Sequence, residues 1–455
     1  MNKGLLSIWQ RAGNNWYILR DDFLLKRGLP VMLIQVAGLI LSFGGNLLLA
    51  RLYGEQVFGT YSLISSWVAL LSALAMFGMD DLHVVKLPSL ELQHRKQAIL
   101  AQLRWSLKVN VLAISVVSIL FYFLVHTFKL PGLSPYAYYV NISLLMICAL
   151  TFYNNFMSCL RALDKVVRGE VTDKIIRPLV FALAIGAFFY AFTRPDLFGG
   201  KKDLLTAAIV SNALSLFVGA ILLLLLIKRK VGGIRDTGGI QKEAFPIAPN
   251  LRYMALTLLY LLSIRLDILL LGTMAGAVEV GHYNVAIKFA DILSYPVIIA
   301  NLSLPALFSR QRHDNGGKPA PAGAFGIAKS LFFQCLVLGA ILLPASTWIL
   351  GWYGKGFKDA FPVLCIFFLS GLATAATGGI ETFFIMEGQE SKVIFGRMIT
   401  IALIALLAFI LIPLWGAPGA AIATLTGNLI YCGLLEFFFY REYGIFIHPF
   451  TRKKR

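Results

Sequence analysis

Apolar runs of 20 or more residues recur from one end of the chain to the other, separated by short polar stretches. Each run is long enough to cross a hydrocarbon core of about 30 Å as a helix. The pattern predicts spans near 29–50, 58–79, 106–127, 137–160, 175–193, 204–227, 249–274, 280–306, 328–350, 360–386, 394–414 and 419–440. The expected fold class is an all-α polytopic membrane protein of about 12 transmembrane helices. The loops between the runs are short, so neither face has room for a soluble catalytic domain.

One landmark occurs twice. Residues 47–61 read LLLARLYGEQVFGTY and residues 269–283 read LLLGTMAGAVEVGHY, an offset of 222. The three leucines fall in register, as do Gly54 with Gly276, Gly59 with Gly281, and Tyr61 with Tyr283. A weaker echo pairs DKVVRG (164–169) with SKVIFG (391–396). A repeat of this period in so apolar a chain predicts two copies of one helical bundle. Six spans per copy is an even number, so both copies enter the membrane from the same side. That makes them parallel repeats about a central cavity. The expected organisation is a first six-helix bundle at 29–227, a linker at 228–248, a second bundle at 249–440 and a basic tail at 441–455. Residues 1–28 place Leu5, Trp9, Trp16, Leu19 and Phe23 at helical spacing among Lys and Arg. They read as an interfacial helix or as an ordinary cytoplasmic segment, and no cleavable leader is evident in them.

Composition fits a membrane chain: 58 % of residues are hydrophobic and 14 % are charged. The net charge of +18 raises the question of nucleic acid, but its distribution answers otherwise. Lys and Arg crowd into the termini and the even-numbered loops and are sparse in the odd-numbered ones. Positive residues stay on the cytoplasmic side, so both termini are expected there and no nucleic-acid partner is needed. The five cysteines lack paired spacing, and the six histidines are scattered. Neither set predicts a disulfide framework or a metal site.

Ionisable residues inside spans are costly, about 2.5–3.5 kcal/mol each on insertion scales, and so are candidate functional residues. Arg265 and Asp267 lie in span 7, Lys288 and Asp291 in span 8, and Glu381 in span 10. Arg51 at the outer end of span 1 joins them as a cavity candidate. Lys288 and Asp291 are three apart and share a helix face, where they could pair. Arg265 and Asp267 point about 160° apart, so at least one must face another helix or a wet cavity. These residues either line a polar cleft or form ion pairs that fix helix packing. Lys108 and Arg252 lie nearer the interface and read as anchors. Small-residue stretches such as 371–379 and 416–427 read as close helix contacts, and Pro296 and Pro305 as bends in span 8.

No phosphate-binding loop, nucleophile elbow or HExxH motif occurs. The chain is therefore not read as an enzyme, and no cofactor is expected. Uphill work would draw on an ion gradient (H+ or Na+), on the membrane potential, or on a downstream step.

LLLARLYGEQVFGTYSLISSW (47–67), RLDILLLG (265–272) running to GHYNVAIKFADIL (281–293), and IPLWGAPGAAIAT (412–424) together resemble bacterial polysaccharide-export flippases. These O-antigen-type proteins belong to the multidrug/oligosaccharidyl-lipid/polysaccharide (MOP) exporter superfamily. The resemblance implies a V-shaped bundle around a cationic cavity in the bacterial cytoplasmic (inner) membrane. It implies passage of an undecaprenyl-diphosphate-linked oligosaccharide from the inner to the outer leaflet, for O-antigen, capsule or exopolysaccharide assembly. Arg265 and Lys288 would then meet glycan acid groups or diphosphate. The implied partners are the lipid-linked oligosaccharide, membrane lipids, and a polysaccharide polymerase with its chain-length machinery. The mixed signs of Asp267, Asp291 and Glu381 leave open a cation-coupled exporter of small molecules on the same fold. A membrane glycan polymerase is the third reading, and the short loops weigh against it.

Overall fold

The computed structural model describes residues 29–128, 133–163, 166–193, 203–234, 247–301, 304, 308 and 322–447. All regular secondary structure among them is helical. The expected interfacial segment 1–28, most of the linker, Pro305 and the end of the basic tail lie outside the described residues.

The first expected bundle comprises α1 (Leu29–Tyr53), α2 (Glu55–Met76), α3 (Met79–Leu92), α4 (Lys96–His126) and α5 (Ala137–Ala162). It continues as α6 (Val166–Val171), a π-helical turn (Thr172–Ile176), α7 (Arg177–Thr193) and α8 (Leu204–Gly232). The second comprises α9 (Ile247–Met274), α10 (Ala277–Leu293), α11 (Ala322–Tyr353), α12 (Phe361–Ala376), α13 (Ile380–Met386) and α14 (Glu390–Tyr443). Ten of the described helices are long and apolar enough to span, or eleven if each bent pair counts as one span. Their outward faces are apolar: Leu112, Ile119, Leu183, Leu225, Ile341 and Leu406 are all more than half exposed. In lipid that exposure is no penalty.

Several expected spans are interrupted, each at a residue that dictates the break. Span 8 bends by 60° between Ala277–Leu293 and Tyr295–Asn301. The break falls at Ser294, just ahead of Pro296, whose ring disfavours continuing the helix. Span 10 stops at Gly378 and Gly379, both in left-handed conformations (φ 57° and 83°). Spans 11 and 12 form one 54-residue helical stretch, broken at Gly416 with φ 59° and ψ −131°. An unexpected short helix, α3, follows the left-handed pair Phe77 and Gly78. Its His83 is buried against α5, with Nδ1 2.9 Å from Ser158 Oγ. Burial pushes that imidazole down to about 3, so it stays neutral. Next, α4 begins at Lys96, ten residues before the expected span.

Gly54 and Gly276, the paired landmarks, adopt one backbone conformation (φ 88°, ψ 169° and φ 92°, ψ −179°) at the starts of α2 and α10. A side chain at either position would be strained, which accounts for glycine at both. Within the first set of helices α5 packs on α8, and within the second α9 packs on α14. Contact between the sets runs chiefly through α2, which lies along both α9 and α10.

Candidate functional site

Polar side chains from both sets of helices converge on one cavity of about 830 Å³. From α1 come Gln35, Ser42 and Asn46, and from α2 come Tyr61, Ser62, Ser65 and Ser66. Asn154 and Arg161 come from α5, Asn212 from α8, and Asn284, Lys288 and Asp291 from α10. Arg265 on α9 and Tyr295 beyond the bend complete the far wall. Toward the end of the bundle where α1 finishes and α2 begins, aromatic rings pack against one another. Phe43 meets Phe289 and Tyr353 edge to face at 5.2 and 5.5 Å, and Phe58 meets Phe357 at 5.9 Å. The cavity itself is walled by amides, hydroxyls and charges.

The π-helical turn supplies the densest charge. Inserting one extra residue into a helix shifts the register of everything after it, and such turns recur at functional sites. Here it brings Asp173, Lys174 and Arg177 onto the cavity wall together. Asp173 sits 2.9 Å from Lys174 Nζ and 3.3 Å from Arg177, and accepts a 2.8 Å hydrogen bond from Tyr153. Gly38 of α1 presses on the turn; a Cβ there would come 2.5 Å from Lys174 Cβ. Nearby, Arg161 is held by the buried Glu170 at 3.0 Å, which also accepts from Gln35 at 2.8 Å.

Five cations (Arg161, Lys174, Arg177, Arg265, Lys288) and three carboxylates (Asp80, Asp173, Asp291) line the space among the described residues. Lys174 and Arg177 from the first set of helices and Arg265 and Lys288 from the second thus line the same space. Several polar atoms here have no hydrogen-bond partner among the described residues although buried: Arg265 Nε, Asp80 Oδ1, Tyr295 Oη and Asn284 Oδ1. An unpaired buried polar group costs about 1–3 kcal/mol. Such groups gathered in one cavity are those that water or a polar ligand would satisfy. Asp80 and Asp81 begin α3, outside the spans. Burial first, and the charge of Asp80 second, push the Asp81 carboxyl up to about 6.

Of the six candidate residues, Arg265, Lys288 and Asp291 line this cavity and three do not. Lys288 and Asp291 share the cavity face without a direct ion pair. Asp267 points away from Arg265, as its 200° offset along the helix requires. It accepts from Tyr283 at 2.6 Å, Thr424 at 3.2 Å and the Ile268 amide at 2.8 Å, so it ties α9 to α10 and α14. Glu381 makes a two-pronged ion pair with Arg397 (3.1 and 2.9 Å), which itself lies 4.1 Å over the Tyr431 ring. Arg51 borders a separate pocket with Glu55 and Tyr353. Asp267 and Glu381 thus have local structural partners and Arg51 borders another pocket, and none of the three is among the residues that line this cavity.

Comparison with known proteins decides the family. Residues 24–311 match the family model described as "Polysaccharide biosynthesis protein". The chain belongs to the polysaccharide biosynthesis protein family. No curated protein matches the chain by sequence. Among solved structures, lipid II flippase MurJ in an inward closed conformation superposes with a TM-score of 0.64 at 14 % identity, covering 90 % of this chain and 87 % of that one. An inward-facing multidrug resistance MATE family transporter of the MOP superfamily gives 0.66 at 13 % identity, covering 90 % and 97 %. A MOP superfamily transporter from Pyrococcus furiosus gives 0.63 at 14 %, covering 91 % and 93 %. The polysaccharide biosynthesis protein thus has the multi-pass helical fold of MOP-superfamily transporters and flippases.

Sequence reasoning missed five of the eight charged residues that line this family member's cavity, Asp80 at the start of α3 among them. Arg161, Asp173, Lys174 and Arg177 sit at the expected start of span 5 and the loop before it, where cations are ordinarily topology signals. The available clue was TDKIIRP (172–178), whose Lys174 and Arg177 fall on one helix face at the mouth of a span.

Proposed function

We propose that this protein is a flippase for undecaprenyl-diphosphate-linked oligosaccharide repeat units, carrying them from the inner to the outer leaflet of a bacterial cytoplasmic membrane. Family membership and fold support a transporter of this kind. The observation that carries the substrate class is the cationic cavity walled by amides and hydroxyls. Arg265, Lys288, Lys174, Arg177 and Arg161 outnumber the three carboxylates there. A diphosphate needs cations held out of bulk water. Sugar hydroxyls need paired donors and acceptors such as Asn46, Asn154 and Asn212. About 830 Å³ lies in the range of sites that engulf a sizeable polar ligand.

On this reading the two sets of helices are six-helix parallel repeats working by alternating access, with both termini cytoplasmic. The packed aromatics around Phe43 and Tyr353 then lie toward the outer side. Energy would come from an H+ or Na+ gradient, and a polysaccharide polymerase with chain-length machinery would take over the product outside. The three cavity carboxylates favour a second reading, a cation-coupled exporter of small molecules.

The test is the leaflet distribution of lipid-linked oligosaccharide in cells with and without the protein. Accumulation in the cytoplasmic leaflet on deletion supports the flippase, and the trapped molecule identifies the glycan. An unchanged pool would sink the proposal, and altered drug susceptibility would then favour the small-molecule exporter.

A further inference from the structure

A second pocket, of about 290 Å³, lies away from the central cavity at the end of α8. It is lined by Leu160 of α5, Arg168 of α6, and Leu226, Arg229 and Lys230 of α8, with Gly233 and Ile234 just beyond. No carboxylate lines it among the described residues. Lys230 is already engaged, 2.5 Å from Glu91. The guanidinium groups of Arg168 and Arg229 are exposed and form no ion pair or side-chain hydrogen bond among the described residues. Two uncompensated guanidinium groups, brought together from different helices over an apolar floor, form an anion site. Basic residues at the last turn of a helix are commonly explained by the helix dipole. That accounts for Arg229 but not for Arg168, which belongs to another helix and faces the same space.

The position of Arg229 along α8 indicates what the anion is attached to. Ile221, Leu225 and Arg229 are spaced by four, so they form one stripe on the helix. Ile221 and Leu225 are 58 % and 56 % exposed, on the face that meets acyl chains, and Arg229 ends that stripe. A lipid lying along the stripe would place its headgroup phosphate at Arg229 and Arg168.

We propose that this pocket holds the phosphate of an anionic lipid in the leaflet on the side of the chain termini. That phosphate could belong to a resident phospholipid or to a polyprenyl diphosphate waiting beside the transport path. The short segment from Arg168 through Glu170 to Lys174 connects it to the cavity, because Glu170 holds Arg161 and Lys174 lines the cavity wall. The site stands whether or not the protein flips oligosaccharides.

Native mass spectrometry of the purified full-length protein, offered equal amounts of phosphatidylglycerol and phosphatidylcholine, tests it. Wild type should retain phosphatidylglycerol over phosphatidylcholine by roughly tenfold, and the double variant Arg168→Gln with Arg229→Gln should lose that preference. Lys228→Gln removes the same charge one residue away but outside the pocket, and should keep the preference. Undecaprenyl diphosphate is added in a second arm. Retention of the diphosphate alongside phosphatidylglycerol supports a general phosphate site, and displacement of bound phosphatidylglycerol by the diphosphate supports a loading site. Equal retention of the two phospholipids, or a preference unchanged in the double variant, overturns the proposal. Binding of inorganic phosphate without lipid also overturns it. Should the double variant not fold, wild type is titrated with salt: a preference that does not weaken as salt rises is equally fatal. A normal oligosaccharide distribution in the deletion strain would sink the flippase and leave this result untouched.

Discussion

Asn284 donates a 2.6 Å hydrogen bond to Ser62, and the two residues are 222 positions apart, the same offset that separates the paired sequence landmarks. The glycines beside them repeat the relationship reciprocally. A Cβ at Gly59 would meet the Ala277 carbonyl, and a Cβ at Gly281 would meet the Glu55 carbonyl. Residues 55 and 277 also differ by 222. Contacts that exchange in this way are what a two-fold interface between equivalent surfaces requires. They place the join between the two sets of helices where α2 and α10 begin, beneath the Gly54 and Gly276 turns.

The join is tighter on one side, which allows a graded test. At Gly59 the added Cβ would fall 1.7 Å from the Ala277 oxygen, a backbone atom that cannot rotate away. At Gly281 the nearest atom is 3.2 Å away. Gly59→Ala should cost about 1–3 kcal/mol by overpacking, and Gly281→Ala clearly less. The melting temperatures of the purified variants should follow that order. Equal melting temperatures for Gly59→Ala and wild type would show that α2 and α10 are not held this closely.

The intramembrane charges should separate into two groups by phenotype. Arg265→Gln and Lys288→Gln should lower surface glycan while leaving membrane insertion and melting temperature near wild type. Losing one charge-assisted hydrogen bond to an anionic substrate, worth about 1.5–3 kcal/mol, corresponds to roughly a 10- to 100-fold loss in transport rate. Asp267→Asn and Arg397→Gln should do the reverse and lower stability first, because each breaks a network that joins helices. Quantitative glycan blots beside thermal unfolding of the same variants check this. A stable Asp267→Asn variant with no surface glycan would contradict the assignment.

The helical, membrane-spanning class was legible because lipid imposes a simple rule: about 20 apolar residues, whatever their order. The landmark glycines were legible because Gly54 and Gly276 occupy a conformation that other residues resist. Arg265 and Asp267 could be separated by helix geometry alone. The sequence did not reveal which of the remaining charges meet. Glu381 and Arg397 are 16 residues apart and find each other only because Gly378 and Gly379 break one helix and Gly388 turns the chain into the next. Nor was the π-helical turn visible, since one extra residue in a helix leaves no apolar period of its own to detect.

At the start of α3, stability should depend on pH. The Asp81 carboxyl is pushed up to about 6, from an ordinary value near 3.8, by burial and by Asp80. A carboxyl whose folded value is raised contributes stability in acid, and that contribution is lost as pH rises from about 4 through 6. Asp81→Asn, which cannot ionise, should therefore melt at a higher temperature than wild type at pH 7.5. The two should converge near pH 4. For a half-buried group the gain should be about 1 kcal/mol, well below the full linkage value of the shift. A difference that does not vary with pH would mean that Asp81 titrates as it does in the unfolded chain.

The π-helical turn offers the sharpest test of the cavity. Deleting Ile175 would let Thr172–Ile176 close as a regular α-helix, rotating the residues before it by about 100° relative to those after it. Lys174 and Arg177 could not then both face the cavity while α7 keeps its packing on α1 and α8. The Tyr153–Asp173 hydrogen bond would also be lost or strained. The deletion variant should insert in the membrane yet show surface glycan reduced at least as far as in Arg265→Gln. Ile175→Ala keeps the chain length and the extra residue, and should retain most of it. Normal glycan in the deletion variant would mean that Lys174 and Arg177 serve membrane topology and not the cavity, and the site would shrink to the charges on α3, α5, α9 and α10.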